Sequence, residues 1–442
     1  MHRRSVRRLA VVAATAIGLA AAPSAAAATT SATTGDSFYT YTGSAPLSSF
    51  APGTVLKTRT LRYHIEGIAT PVTAIQLLYR TTDALGRPAA NVTSVVRSIT
   101  GNSAKAVSYQ SFYDSLNPQD GPSRAIAGDV TLGGTIANFE SVALSTLLLQ
   151  GDNLVIPDTE GQSADFAAGP EYATNTLDSI RAAIKSPLTG MNPRTKFGLM
   201  GYSGGAIATD WAAALAPRYA PDVNKNLVGF AEGGVLVDPA HNLKYVNGSL
   251  VWSGVIPMAL IGVSRSYGID LTPYMNSYGL QVYNGLQHGS LLDALGHYPG
   301  LTWQQIAKPQ YANPDSAIAF VEAVNKINLG SAPTPSVPGY IAQGNGGVLE
   351  GTFGNPAGIG TGDGVMVAGD VRALANRYCA TGDSSITYDQ YSLLSHVGTA
   401  AAWAPKALSW LNDRFAGRPA PSDCGHIPAG NSLAPEQILP PS

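Results

Sequence analysis

The chain has 442 residues, with 27 lysines and arginines against 29 acids for a formal net charge of −2; 45 % of residues are hydrophobic and 13 % charged. A charged share about half the usual ~25 % excludes a disordered polyelectrolyte and argues against a nucleic-acid partner. The 48 glycines and 30 prolines follow no period, which excludes collagen, and the length admits one large α/β domain or two ordinary ones.

Residues 1–28 have the three parts of an export signal. Arg3, Arg4, Arg7 and Arg8 form a positive start, residues 9–22 are apolar, and Pro23 precedes a run of small residues ending at Ala28. The apolar part falls short of the roughly 20 residues that span a bilayer, so it reads as a cleaved signal peptide and not as an anchor. Cleavage would remove four arginines and no acid, leaving 23 − 29 = −6. No later stretch is long and apolar enough to span a membrane. The expected product is secreted and soluble.

Residues 74–79 and 91–96 read as strands around the turn residues 83–88. A helix is expected over 140–149 and a short buried strand over 153–156. The loop Pro157-Asp158-Thr159-Glu160-Gly161 follows. Ala173, Leu177, Ile180 and Ile184 share one helix face. A strand at 196–200 leads into a helix marked by Ala206, Ile207, Trp211, Ala214 and Leu215, with Pro217 as its expected stop. Residues 227–230 are strand-like again. This alternation predicts an α/β fold with a mostly parallel sheet covered on both faces.

Residues 239–330 break that rhythm. They hold eight charged residues, seven tyrosines and two tryptophans, and read as irregular helices. A proline-rich linker, 330–338, leads to a strand at 339–343. A helix stripe of Val371, Leu374, Ala375 and Tyr378 follows, then a strand at 386–391. The last helix is marked by Ala407, Leu408, Leu411 and Phe415, and the tail from Gly417 should lie along the surface. The expected division is a signal peptide (1–28), an α/β core (29–238 and 331–442) and an inserted helical cap (239–330). Two cysteines, Cys379 and Cys424, read as one disulfide in an exported chain. Closing a loop of that length is worth roughly 4 kcal/mol by chain entropy.

The run Gly201-Tyr202-Ser203-Gly204-Gly205 matches G-x-S-x-G between a strand and a helix, the setting of a nucleophile elbow. A serine needs a base to take its proton. Of the later histidines, His288 and His297 lie in the 239–330 segment and His426 in the tail. His396 follows the strand at 386–391, where a base can reach back over the sheet edge. The acid should lie in the long loop 344–367 or just beyond it. Asp370 is better read as a helix N-cap, and Glu350 sits mid-loop among glycines with nothing to fix it. Asp363 is left as the candidate. For the oxyanion, the expected donors are the backbone N–H groups of Gly204, after the nucleophile, and of Asp158, after the earlier strand.

At these residues the sequence resembles the secretory lipase family of α/β-hydrolases, which includes the fungal lipase A type. The likeness is carried by residues 78–86, Tyr109-Gln110-Ser111-Phe112-Tyr113-Asp114-Ser115, residues 157–161, the Ser203 motif, Glu232-Gly233-Gly234, residues 369–375 and Ser395-His396-Val397-Gly398. It implies an acyl-ester hydrolase with Ser203, Asp363 and His396 as triad, Asp158 and Gly204 as oxyanion donors, and an acyl tunnel in the cap. The chain departs from the family in one place. The family's acid usually follows its strand within a few residues; here Gly347 stands near that place, and about sixteen more residues precede Asp363.

The expected function is therefore secreted lipase or esterase hydrolysis through an acyl-enzyme. No metal or cofactor is expected, since no Cys/His spacing suggests zinc. The expected partners are an acyl ester or lipid and, in passing, a lipid interface met by the cap. Oligomeric state is not legible. Two alternatives stand beside this reading: an acyltransferase or peptidase on the same scaffold, and a degenerate hydrolase serving as a surface binding protein.

Overall fold

The structure, a computed structural model, describes residues 35–382 and 385–441. The chain divides into a unit over 1–37, of which 35–37 are described, and a unit over 38–442. The expected signal peptide lies outside the described residues.

The second unit is built on a nine-stranded sheet in the order β1-β2-β3-β5-β4-β6-β7-β8-β9. These strands are β1 (Val55–Ile65), β2 (Ile68–Thr82), β3 (Pro88–Val96), β4 (Lys105–Gln110), β5 (Asn153–Pro157), β6 (Lys196–Tyr202), β7 (Leu227–Gly233), β8 (Gly339–Gly344) and β9 (Ile386–Tyr391). The first three form an antiparallel meander, β5 runs antiparallel to β3, and from β5 to β9 every pairing is parallel. The swap of β4 and β5 places β4, not β5, beside β6, with Gln110 opposite Gly201. The strand pattern is legible in the sequence only from about Leu61, so β4 and the first half of β1 are missed, both being short of large apolar residues.

Side chains alternate between two cores, as strand geometry requires. On β6, Phe197 and Leu199 face one cluster while Met200 and Tyr202 face the other. The helices supply the matching faces. α1 (Pro122–Ala127) and α2 (Thr135–Leu149) place Ile126, Leu144, Leu147 and Leu148 in the second cluster. α3 (Gly169–Lys185) and α4 (Gly204–Tyr219) cover the first, the former through the expected Ala173, Leu177 and Ile180. Pro217 does not stop α4 where expected. It lies inside the last turn, where little helix remains beyond it to be broken, and the helix runs on to Tyr219.

After the short α5 (Pro221–Asn224), residues between β7 and β8 form α6 (Pro239–Val246), α7 (Val255–Tyr267), α8 (Ser277–Leu286), α9 (Leu291–Ala294), α10 (Trp303–Ile306) and α11 (Ile318–Lys326). This segment joins the loop after β4 through a bridge between Ser115 and Ser290 and through Leu291 N–H to Asp114 C=O, 2.8 Å. α12 (Ala368–Thr381) and α13 (His396–Phe415) complete the two layers. Asp370 is not the N-cap of α12, which is Val367; its Oδ1 instead accepts from Asn431 Nδ2, 2.7 Å, and pairs with His241 Nδ1, 2.9 Å.

Cys379 and Cys424 are bonded. The bridge holds the tail against the edge strand β9, where Asp423 N–H donates to Ile386 C=O and the Asp423 carboxylate accepts from Tyr388 N–H, 2.7 and 2.9 Å. An exposed sheet edge is thereby covered. Among the described residues, no helix is long and apolar enough to cross a membrane.

Candidate active site

The chemistry-bearing residues gather at the C-terminal ends of the parallel strands, where α/β sheets place their sites. Ser203 sits between β6 and α4 with φ 54° and ψ −121°, a strained conformation for a residue with a side chain. Its N–H donates to Gly233 C=O at 2.9 Å, which anchors the turn to the neighbouring strand. The flanking glycines are needed for space. A Cβ on Gly201 would collide with the Gly205 carbonyl, and one on Gly205 with the carbonyl of Gln110.

His396 lies at the first turn of α13, not in a loop as expected, with Ser395 as N-cap accepting from Gly398 N–H at 3.2 Å. Its Nε2 stands 2.8 Å from Ser203 Oγ and its Nδ1 2.8 Å from Asp363 Oδ2. Three further contacts fix the ring. The His396 N–H donates to the Asp363 carbonyl at 2.7 Å, Tyr202 Oη donates to the His396 carbonyl, and Trp252 packs edge-on at 5.2 Å between centroids. Burial opposes a charge on this imidazole, but the Asp363 carboxylate and its hydrogen bond outweigh burial, and Glu350 adds to them. The net effect raises the histidine above its ordinary 6.5.

Asp363 is fully buried, and its second oxygen accepts from Val365 and Met366 N–H at 3.1 and 2.8 Å. The extra residues before it do not carry it away. Gly347 N–H donates to Gly362 C=O at 2.9 Å, so 347–362 closes on itself as a side loop. The chain re-enters where it left: a Cβ on Gly344, the last residue of β8, would lie 2.9 Å from Asp363 Cβ. In space, Asp363 therefore stands where an acid directly after the strand would stand.

The profile described as Secretory lipase matches residues 128–350 and 356–423. The chain belongs to the secretory lipase family. A Mycobacterium tuberculosis protein named "probable inactive lipase" is 32 % identical, covering 83 % of this chain and 79 % of that protein. Lipase 4 of Candida albicans is 31 % identical over 90 % of this chain and 86 % of its own. The closed-state crystal structure of Candida antarctica lipase A matches with a TM-score of 0.75 at 24 % identity, covering 90 % of this chain and 89 % of that one. The fold is that of the α/β-hydrolases, and the family's activity is carboxylic ester hydrolysis. The profile's gap at 351–355 falls inside the side loop.

One expected role of this secretory lipase needs correction. The Asp158 N–H cannot serve an oxyanion, because it already donates to Val92 C=O at 3.0 Å. Its carboxylate accepts from Ser123 N–H and Oγ at 2.9 and 2.6 Å. Asp158 thus ties β5 to β3 and α1, two strands away from β6. The residue beside the nucleophile comes from the loop after β4. Asp114, with φ 40°, lies against Gly204 so closely that a Cβ on Gly204 would collide with its carboxyl. Burial raises the Asp114 carboxyl well above its ordinary value, and the nearby Glu140 adds to this. Gly204 opens α4, where N–H groups have no partner within the helix. The run 109–115 was legible as a family motif; its role was not, because that depends on β4 lying beside β6.

Glu350 is also fixed, contrary to expectation. Its two oxygens accept from Trp252 Nε1 at 2.8 Å and from Val397 N–H at 2.9 Å. For a metal, among the described residues only Asp238, His241 and Glu436 bring ligand atoms together, within 4.8 Å. These are already engaged, His241 with Asp370 and Glu436 with Lys244 at 2.8 Å.

Proposed function

We propose that this secretory lipase is a secreted, active serine carboxylester hydrolase working through Ser203, His396 and Asp363. The single observation that carries the reading is the unbroken line of hydrogen bonds from Ser203 Oγ through the imidazole to Asp363. Ser203 Oγ attacks the ester carbonyl as His396 Nε2 takes its proton, and Asp363 holds the tautomer and steadies the imidazolium. The tetrahedral oxyanion is met by the N–H groups of Gly204 and Asp114. His396 then returns the proton to the departing alcohol, and water repeats the cycle on the acyl-enzyme.

Residues 239–330 act as the cap. Ser203 is 9 % exposed. The lipid-facing rim includes more than the cap. Val348, Leu349 and Phe353 of the side loop and Leu393 before His396 are 61–84 % exposed, and such clustered apolar exposure suits an acyl or lipid surface.

The assay is a p-nitrophenyl ester series from C2 to C16 with wild type and Ser203→Ala. Wild type should turn over and the variant should not, at unchanged melting temperature. The name of the Mycobacterium tuberculosis relative favours a non-catalytic reading, and wild type without turnover across the whole series would establish it.

A further inference from the structure

Beside Asp363, a second carboxylate bonds the residue after His396 and the ring packed on it. Glu350 is the last residue of a one-turn helix, Gly347–Glu350, in the side loop. Its Oε1 accepts the N–H of Val397, the residue after His396, in the first turn of α13. Its Oε2 accepts the indole N–H of Trp252, whose ring stands at 79° to the imidazole and 5.2 Å away. The backbone just after Asp363 closes over this pair: a Cβ on Gly364 would lie 3.0 Å from both Glu350 Oε2 and Trp252 Nε1. One carboxylate thus joins the helix that carries the base, the ring that walls the base and the turn that carries the acid.

We propose that Glu350 is a positioning residue for His396, holding the imidazole through Trp252 and the α13 N-terminus and lending it a second negative charge as the imidazolium forms. The inference rests on Ser203, His396 and Asp363 being the triad. A carboxylate at a helix N-terminus is favoured by the helix dipole, so the arrangement is stable in the resting enzyme. When His396 takes the serine proton, the new cation faces two carboxylates instead of one. The titratable groups around it are Asp363 and Glu350 on the acid loop, Tyr202 on β6 and Tyr245 on α6. The phenols stay neutral, since burial raises both well above 10. The pH response of His396 is therefore set by burial, which disfavours its charge, against the two carboxylates, which favour it.

The test measures kcat/KM against pH, with p-nitrophenyl butyrate, for wild type, Glu350→Gln and Trp252→Phe. Fluorophosphonate labelling of wild type at Ser203 is run first and independently. If wild type is not labelled, the triad reading itself has failed. With labelling intact, Glu350→Gln should lose activity about tenfold, far less than the ~10⁴ of losing the triad acid. Its acid limb should move to lower pH by roughly half a unit, because a histidine facing one fewer negative charge binds its proton less tightly. Trp252→Phe keeps a ring over the imidazole and the charge of Glu350; it should lower kcat while moving the limb less. An unchanged rate, or a lower rate with the limb in place, in folded Glu350→Gln would overturn the proposal. If Glu350→Gln does not fold, wild-type kcat in Trp252→Phe would overturn it, and a lowered kcat would support it.

Discussion

A single backbone amide decides the oxyanion assignment. The Asp158 N–H is spent on Val92, whereas Asp114 stands against Gly204 in a left-handed conformation. Gly204→Ala should therefore displace Asp114 and lower kcat about a hundredfold, the usual cost of one lost oxyanion donor. Steady-state kinetics with circular dichroism checks this; a folded variant at wild-type rate would return the second donor to another loop. The acid makes a sharper case. Asp363→Asn should cost about 10⁴ in kcat with the fold kept, as the same change to the acid does in a chymotrypsin-type triad. Asp370→Asn, which bonds His241 and Asn431 away from the triad, should leave kcat close to wild type. The base sets the pH profile. Since Asp363 outweighs burial and raises His396 above 6.5, neutral imidazole is lost on acidification. The acid limb of kcat/KM should have its midpoint above that value.

At the scale of elements, most strands and helices are legible as hydrophobic periods. The stripes at 173–184 and 371–378 and the strand Ile386–Tyr391 fall where they are expected. What sequence reading misses has a common cause, which is that it sees neighbours along the chain and not across the sheet. β4 is polar at its ends, and its place beside β6 comes from the crossover of β4 and β5. Glu350 looks free among glycines because Trp252, its partner, is 98 residues away. The side loop looks like a displacement of the acid because its closing bond, Gly347 to Gly362, is not written in any motif. Two elements lend themselves to stability measurements. The disulfide closes 45 residues, so Cys379→Ser with Cys424→Ser should lose about 4 kcal/mol at most by chain entropy. Thermal melts of the double variant, or of wild type with reductant, check this. The second is the buried pair of Asp210 on α4 and Glu232 on β7. Burial raises both carboxyls; the Asp210 charge and hydrogen bond raise Glu232 further, whereas the same hydrogen bond offsets part of the rise at Asp210. Groups whose values are raised by folding stabilise at low pH and lose that contribution as pH rises through their folded values. Glu232→Gln should therefore flatten the fall of melting temperature between mildly acidic and neutral pH. A wild-type curve that rises over that range relative to the variant would contradict it.

For the whole molecule, the sheet fixes where the chemistry converges and the loops decide what it is. Ser203, Asp114, Asp363 and His396 come from four different strand ends brought to one edge by parallel pairing. The fold is shared with Candida antarctica lipase A, and the secretory lipase profile is interrupted only at 351–355, within the side loop. A relative of this chain is named "probable inactive lipase", so the proposed function turns on whether Ser203 reacts. Covalent labelling tests it most directly. Full-length protein is treated with a fluorophosphonate at neutral pH, digested and sequenced by mass spectrometry. Stoichiometric modification at Ser203 is expected, abolished in Ser203→Ala and strongly slowed in Asp363→Asn. Folded protein that takes no label, or takes it at another residue, would contradict it.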